Sequence, residues 1–154
     1  MSSQSTIPEM GFVNDFDETE RTQLGEFGEF VDVSDGDNLI REGEEQNSLF
    51  LIIFGKFHVQ TEATGRPVLL GQLKTGDTVG EINIFDAGQA SASVVAKSIG
   101  QIWRIDRDRL EDYLEAHPTE AARLLVNIAT QLRTRLRKTN EKVAMAREAM
   151  LGSF

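Results

Sequence analysis

A chain of 154 residues with 40% apolar content has enough material for one compact domain with a buried core, and a net charge of −9 argues against a broad surface for DNA phosphates or anionic lipid. The absence of cysteine removes disulfides, thiolate metal sites and cysteine nucleophiles together, and makes a cytoplasmic location the simplest expectation. No run approaches the roughly 18 apolar residues of a membrane span, and residues 1–10 have neither the basic start nor the apolar stretch of a signal peptide.

In chain order, residues 1–11 read as a flexible tail and 12–154 as one domain. Residues 12–30 carry apolar positions Phe16, Leu24, Phe27 and Phe30, with an acidic start at Asp15, Asp17, Glu18 and Glu20. Acids favour the positive end of a helix dipole, so the spacing predicts one or two short helices over 12–30. From about 31 to 105 the character changes to short strand-like runs at 38–40, 49–54, 56–61, 68–73, 91–96 and 99–105. Gly36, Gly43, Gly55, Gly65, Gly76, Gly88 and Gly100 punctuate them. That rhythm predicts an α+β domain built on an antiparallel β-roll of the jelly-roll kind (a double-stranded β-helix), flanked by N-terminal helices. After Asp106 the pattern is helical: a short helix over 108–116, then one long helix over 118–150 with Pro118 in its first turn.

Within the long helix, Leu125, Ala129, Leu132, Leu136, Thr139, Val143, Ala146 and Met150 recur in alternating steps of four and three. Such a seam predicts a homodimer, parallel or antiparallel; the alternative is that it packs back on the roll. Arg133, Arg135, Arg137 and Lys138 form the densest basic stretch, but helical spacing spreads them around the helix, so they read as solvated surface.

Catalytic and metal chemistry find no footing. His58 and His117 lie in no ligand spacing, and there is no nucleophile elbow, P-loop or dinucleotide fingerprint. Glu42, Glu44 and Glu45 flank Gly43 as solvated carboxylates of a turn. The chain therefore reads as a non-enzyme without metal or cofactor. One segment breaks the strand rhythm: Gly80-Glu81-Ile82-Asn83-Ile84-Phe85 reads as a helical turn set between strands. The free amides of a helix start suit a phosphate, whereas a carboxylate beside them, Glu81, suits a sugar hydroxyl. An ordinary loop with a buried turn fits the same residues.

The segment 35–44, then Ser48-Leu49-Phe50-Leu51-Ile52 and Gly55, then Gly76-Asp77 and Gly80-Glu81-Ile82, resembles the cyclic-nucleotide-binding domain family. Phe85, Gly88-Gln89 and Thr139-Asn140-Glu141-Lys142-Val143 bring it nearest to the sensory half of the bacterial catabolite activator family, over about 16–143. The resemblance implies a ligand such as cyclic AMP or another cyclic nucleotide. Glu81 would accept from the ribose and the amide near Ile82 would hold the phosphate. Leu70 and Leu73 would line the apolar side, and Thr139 and Asn140 would reach the base. The resemblance also implies a departure: Ser91, followed by Ala92, stands where the family carries a phosphate-clamping arginine. Lys97 and Arg66 are the nearest basic residues in sequence, and Glu81 has no evident partner. Since the sequence given stops at Phe154, the helix-turn-helix that follows in the activator family is not expected, nor is direct DNA binding. The expected role is a stand-alone regulatory module that signals through its dimer helix to an unknown protein partner. The alternative is a ligand-free dimerisation module.

Overall fold

The computed structural model describes residues 6–62 and 65–152. A short 3₁₀ turn, Gly11–Val13, precedes α1 (Glu18–Phe27), which Asp17 opens with a capping box: its side chain accepts from Glu20 N at 2.8 Å while Glu20 Oε1 accepts from Asp17 N at 3.0 Å. The strands follow as β1 (Glu29–Val33), β2 (Asn38–Ile40), β3 (Glu45–Gln46), β4 (Ser48–Phe54), β5 (Phe57–Thr61), β6 (Val68–Leu73) and β7 (Thr78–Val79). A single helical turn, α2 (Glu81–Phe85), separates these from β8 (Gly88–Gln89), β9 (Ser93–Ala96) and β10 (Gly100–Asp106). Two helices complete the chain, α3 (Arg107–Ala116) and α4 (Pro118–Leu151).

All pairings are antiparallel. One sheet runs β1-β10-β4-β7, the facing sheet β2-β9-β5-β6, and β3 pairs with β8 at one end. The expected α+β roll with a long C-terminal helix is what the chain adopts. Its core has two layers, and β4 explains why. Strand side chains alternate between faces, so a strand buried on both sides is continuously apolar. Leu49, Leu51 and Ile53 point to a cluster shared with the helices, with Trp103, Leu24, Leu124 and Ile128. Phe50 and Ile52 point into the roll, against Phe57, Val79, Val94 and Ile102.

Two glycine-aspartate corners repeat one device. At Gly36-Asp37 the carboxylate accepts from Ser34 N at 2.8 Å; at Gly76-Asp77 it accepts from Lys74 N at 2.9 Å. The corners then tie across to Ala96 and Ile52 respectively, through paired backbone bonds of 2.8–2.9 Å. Each aspartate closes its own turn locally and leaves the backbone free for the opposite strand.

Several expectations need correction. The tail does not extend to residue 11: Ile7 is fully buried in the helical core layer and its carbonyl accepts from Arg21 Nη1 at 2.9 Å. Residues 1–5 of that stretch lie outside the described residues. Phe30 belongs to β1, paired with Trp103, and not to a helix. The ninth strand begins at Ser93, leaving Ser91 and Ala92 in the turn before it. In α4, Ala121, Leu124 and Ile128 are buried on the domain, and Leu132 packs against the same cluster. Of the expected seam, Leu125 and Leu132 are half-buried, whereas Ala129, Leu136, Thr139, Val143, Ala146 and Met150 are exposed.

Candidate functional site

A cavity of about 430 Å³ opens where the mouth of the roll meets α2 and α4. Ile40, Val59, Leu73, Val79, Ala90 and Val94 form its apolar wall, and Gln72, Asp77, Glu81, Asn83, Ser91 and Arg135 supply polar groups. Its geometry begins with Gly80. That residue caps α2 with φ +84°, and a Cβ there would stand 2.2 Å from the Ser48 carbonyl oxygen. Only glycine combines the left-handed backbone with so close an approach to β4. The corner turns Glu81 inward, where it is 8% exposed.

A buried carboxylate requires a partner, and the long helix provides one. Arg135 Nη1 donates to Glu81 Oε1 at 2.5 Å, and Nη2 donates to the Thr78 carbonyl at 2.5 Å. One turn earlier, Gln131 Oε1 accepts from Thr78 Oγ1 at 2.9 Å. Two adjacent polar residues of α4 are thus stitched to β7 and α2. This corrects two expectations, that Arg135 is solvated helix surface and that Glu81 is unpartnered. Arg135 is a cavity-lining residue that the sequence alone does not single out. A signal was present: Ala121, Leu124, Ile128, Gln131 and Arg135 form a stripe with steps of three and four that runs from the core to the pocket.

Of the residues singled out from sequence, Gly80, Glu81, Ile82, Leu73, Ser91 and Ala92 line the cavity together. Leu70 is 59% exposed and does not line it. Thr139 and Asn140 lie on α4 about one turn beyond Arg135, exposed and outside the cavity lining. Arg66 and Lys97 are exposed and line no part of it. Glu42, expected to be solvated, is held: Thr61 Oγ1 lies 2.6 and 2.8 Å from its oxygens, and Glu62 N donates at 3.2 Å. His117 stacks edge-on with Phe27 between α3 and α4.

Elsewhere in the helical layer, Tyr113 is buried, and its hydroxyl finds no hydrogen-bond partner among the described residues. Burial, reinforced by the Glu120 and Glu20 carboxylates, pushes that hydroxyl up to about 12. Among the described residues no helix is long and apolar enough to cross a membrane.

Residues 30–117 match the cyclic nucleotide-binding domain pattern. Over 107 residues, 68% of this chain, it is 31% identical to the cAMP-activated global transcriptional regulator CRP of Salmonella typhimurium. Over 115 residues, 74% of the chain, it is 33% identical to the CRP-like cAMP-activated global transcriptional regulator of Mycobacterium tuberculosis. These matches cover 49% and 50% of the two regulators, so the chain spans about half the length of the curated relatives it matches. A cyclic nucleotide-binding domain from Methylobacillus flagellatus superposes with a TM-score of 0.79 at 22% identity, covering 86% of this chain and 78% of that one. The pattern match embraces the roll, the glycine-capped turn and Glu81, and the chain belongs to the cyclic nucleotide-binding domain family.

Proposed function

We propose that this chain is a regulatory sensor module whose pocket state is read by a protein partner through α4. The observation that carries the reading is the bond from Arg135 to Glu81 and Thr78, which makes one α4 residue part of the pocket wall. A ligand group that hydrogen-bonds Glu81 shares the carboxylate on which Arg135 is seated, and so biases the seating of the helix. The cAMP-activated relatives support a cyclic nucleotide as the ligand class. Ser91, at the position where the resemblance places an arginine, replaces a charged clamp by one neutral hydroxyl. Charge-assisted hydrogen bonds contribute roughly 1.5–3 kcal/mol each. Two such bonds amount to a loss of about a hundredfold or more in phosphate affinity, so nucleotide binding is weak or altered.

The exposed distal seam, with Leu136 at 63% and Val143 at 62%, is assigned to a second copy of the chain. That same exposure favours the second reading, a ligand-free dimerisation module, since the seam needs no ligand to be present. Light scattering and hydrogen exchange separate the two. The full chain is expected to be a dimer, a chain ending at Arg137 a monomer, and saturating cyclic AMP is expected to change amide protection in both α2 and the 131–150 part of α4. A dimer that survives the truncation refutes the seam. Protection that changes in α2 alone refutes signalling through α4.

A further inference from the structure

We infer that the pocket selects an uncharged ligand carrying adjacent hydroxyls on an apolar or aromatic body, of which a nucleoside is the fitting class, over an anionic phosphodiester. The inference rests on the sensor reading above and concerns the charge balance of the same cavity. Among the described residues its charged lining consists of two carboxylates, Asp77 and Glu81, and one guanidinium, Arg135, a balance of −1. The single cation is already engaged, one nitrogen on Glu81 and another on the Thr78 carbonyl. Drawing it to a phosphate would strip the partner from a carboxylate that is 8% exposed, so the gain at one end is offset by a loss at the other.

Among the described residues no other cation lines the cavity. Arg66, Lys74 and Lys97 are exposed and outside the lining. The turn α2 is five residues long, too short for a substantial helix dipole. Ser91 offers only a neutral donor, and an anion moved from water into such surroundings is penalised.

A neutral sugar meets the opposite conditions. Among the described residues no hydrogen bond reaches Glu81 Oε2, which leaves an acceptor for ligand hydroxyls beside the engaged Oε1. Val59, Leu73, Val79 and Val94 offer a flat apolar body a wall, in a cavity of about 430 Å³ that lies within the usual size of small-molecule sites.

Calorimetry on the full chain, at about 0.15 M salt, compares adenosine with 3′,5′-cyclic AMP and guanosine with 3′,5′-cyclic GMP, pairs that differ at the phosphodiester. In the better-binding pair the nucleoside is expected to bind at least as tightly as its cyclic phosphate. Ser91→Arg, a change at an exposed position of the cavity lining, is expected to raise cyclic-phosphate affinity by about tenfold or more relative to that of the matching nucleoside. A cyclic phosphate that binds the unaltered chain about tenfold more tightly than its nucleoside overturns the inference and leaves the sensor reading standing. Failure of Ser91→Arg, with its thermal melt unchanged, to shift the preference toward the phosphate overturns it as well. If none of the four binds at millimolar concentration, the sensor reading itself falls, and the inference with it.

Discussion

Replacing Arg135 by methionine keeps the length and apolar stem of the side chain and removes its charge, so it isolates the link between α4 and the pocket. Two short hydrogen bonds are lost, one to the Glu81 carboxylate and one to the Thr78 carbonyl. Each charge-assisted bond is worth roughly 1.5–3 kcal/mol. The Arg135 side chain is 40% exposed, so water replaces part of what it provides, whereas the Glu81 side chain at 10% is poorly placed to recover hydration. The expected destabilisation is therefore about 2–3 kcal/mol, at the low end of what breaking a buried pair costs. Urea unfolding followed by the fluorescence of the buried Trp103 measures it, at one fixed chain concentration because a dimer's stability depends on that concentration. A cycle with Glu81→Gln is expected to give a coupling energy of about 1–2 kcal/mol. Arg133→Met and Arg137→Met, at exposed positions on the same helix, are expected to stay within about 0.5 kcal/mol of the parent. A coupling energy below about 0.5 kcal/mol, or controls that cost as much as Arg135→Met, would refute the claim that Arg135 anchors α4 to the pocket.

Two further perturbations probe the scaffold. Gly80→Ala forces a Cβ onto a residue at φ +84° and within 2.2 Å of the Ser48 carbonyl oxygen; a loss of at least about 2 kcal/mol is expected, with weakened ligand binding because Glu81 is aimed by that corner. An alanine variant as stable as the parent would show that the corner relaxes freely. Tyr113 carries a pH signature, since its hydroxyl is held up at about 12 against an ordinary 10.0, so the folded state keeps a proton that the unfolded state gives up. That contribution is fully present below pH about 10 and is lost as pH rises toward 12, a fall of roughly 2–3 kcal/mol. Tyr113→Phe is expected to flatten this alkaline limb and, having removed an unpartnered hydroxyl, to cost little at neutral pH. A limb that persists unchanged in the variant assigns it to other groups.

The parts of the fold that announced themselves in the sequence are those where backbone conformation alone decides. Gly36-Asp37 and Gly76-Asp77 require the same left-handed corner wherever they stand, and they framed the strands correctly. β1 was hidden because Phe27 and Phe30 continue an apolar spacing that suits a helix, and only the pairing of Phe30 with Trp103, far along the chain, makes it a strand. The two-residue strands β3, β7 and β8 are too short to show a period. Ile7 reads as tail in the sequence because burial of one isolated apolar residue depends on what folds over it. Within the site, Gly80, Glu81 and Ser91 were legible through their motif. Arg135 was not, because four basic residues spread over one helix look alike until a buried carboxylate selects one of them.

Under the proposed reading, the placement of Arg135 lets one helix serve both a pocket and a seam. Along α4 the docked stripe of Leu124, Ile128, Gln131 and Arg135 is followed, one position later each time, by the seam residues Leu125, Ala129, Leu132 and Leu136. One residue is about 100° of helical rotation, so the two faces lie side by side along the helix. Leu132 already belongs to both, packing on the core while continuing the seam. Leu136 is the next seam position and directly follows the arginine that closes on Glu81. A rigid rotation of α4 that withdraws Arg135 from Glu81 therefore carries Leu136 through the same angle. Beyond Leu136 nothing of the described chain buries Val143 or Met150, so their direction is set by the last docked turn. Under the proposed reading no chain of intermediate residues is needed between ligand and partner, because the Arg135 contact and the exposed seam position Leu136 are neighbours on one helix turn.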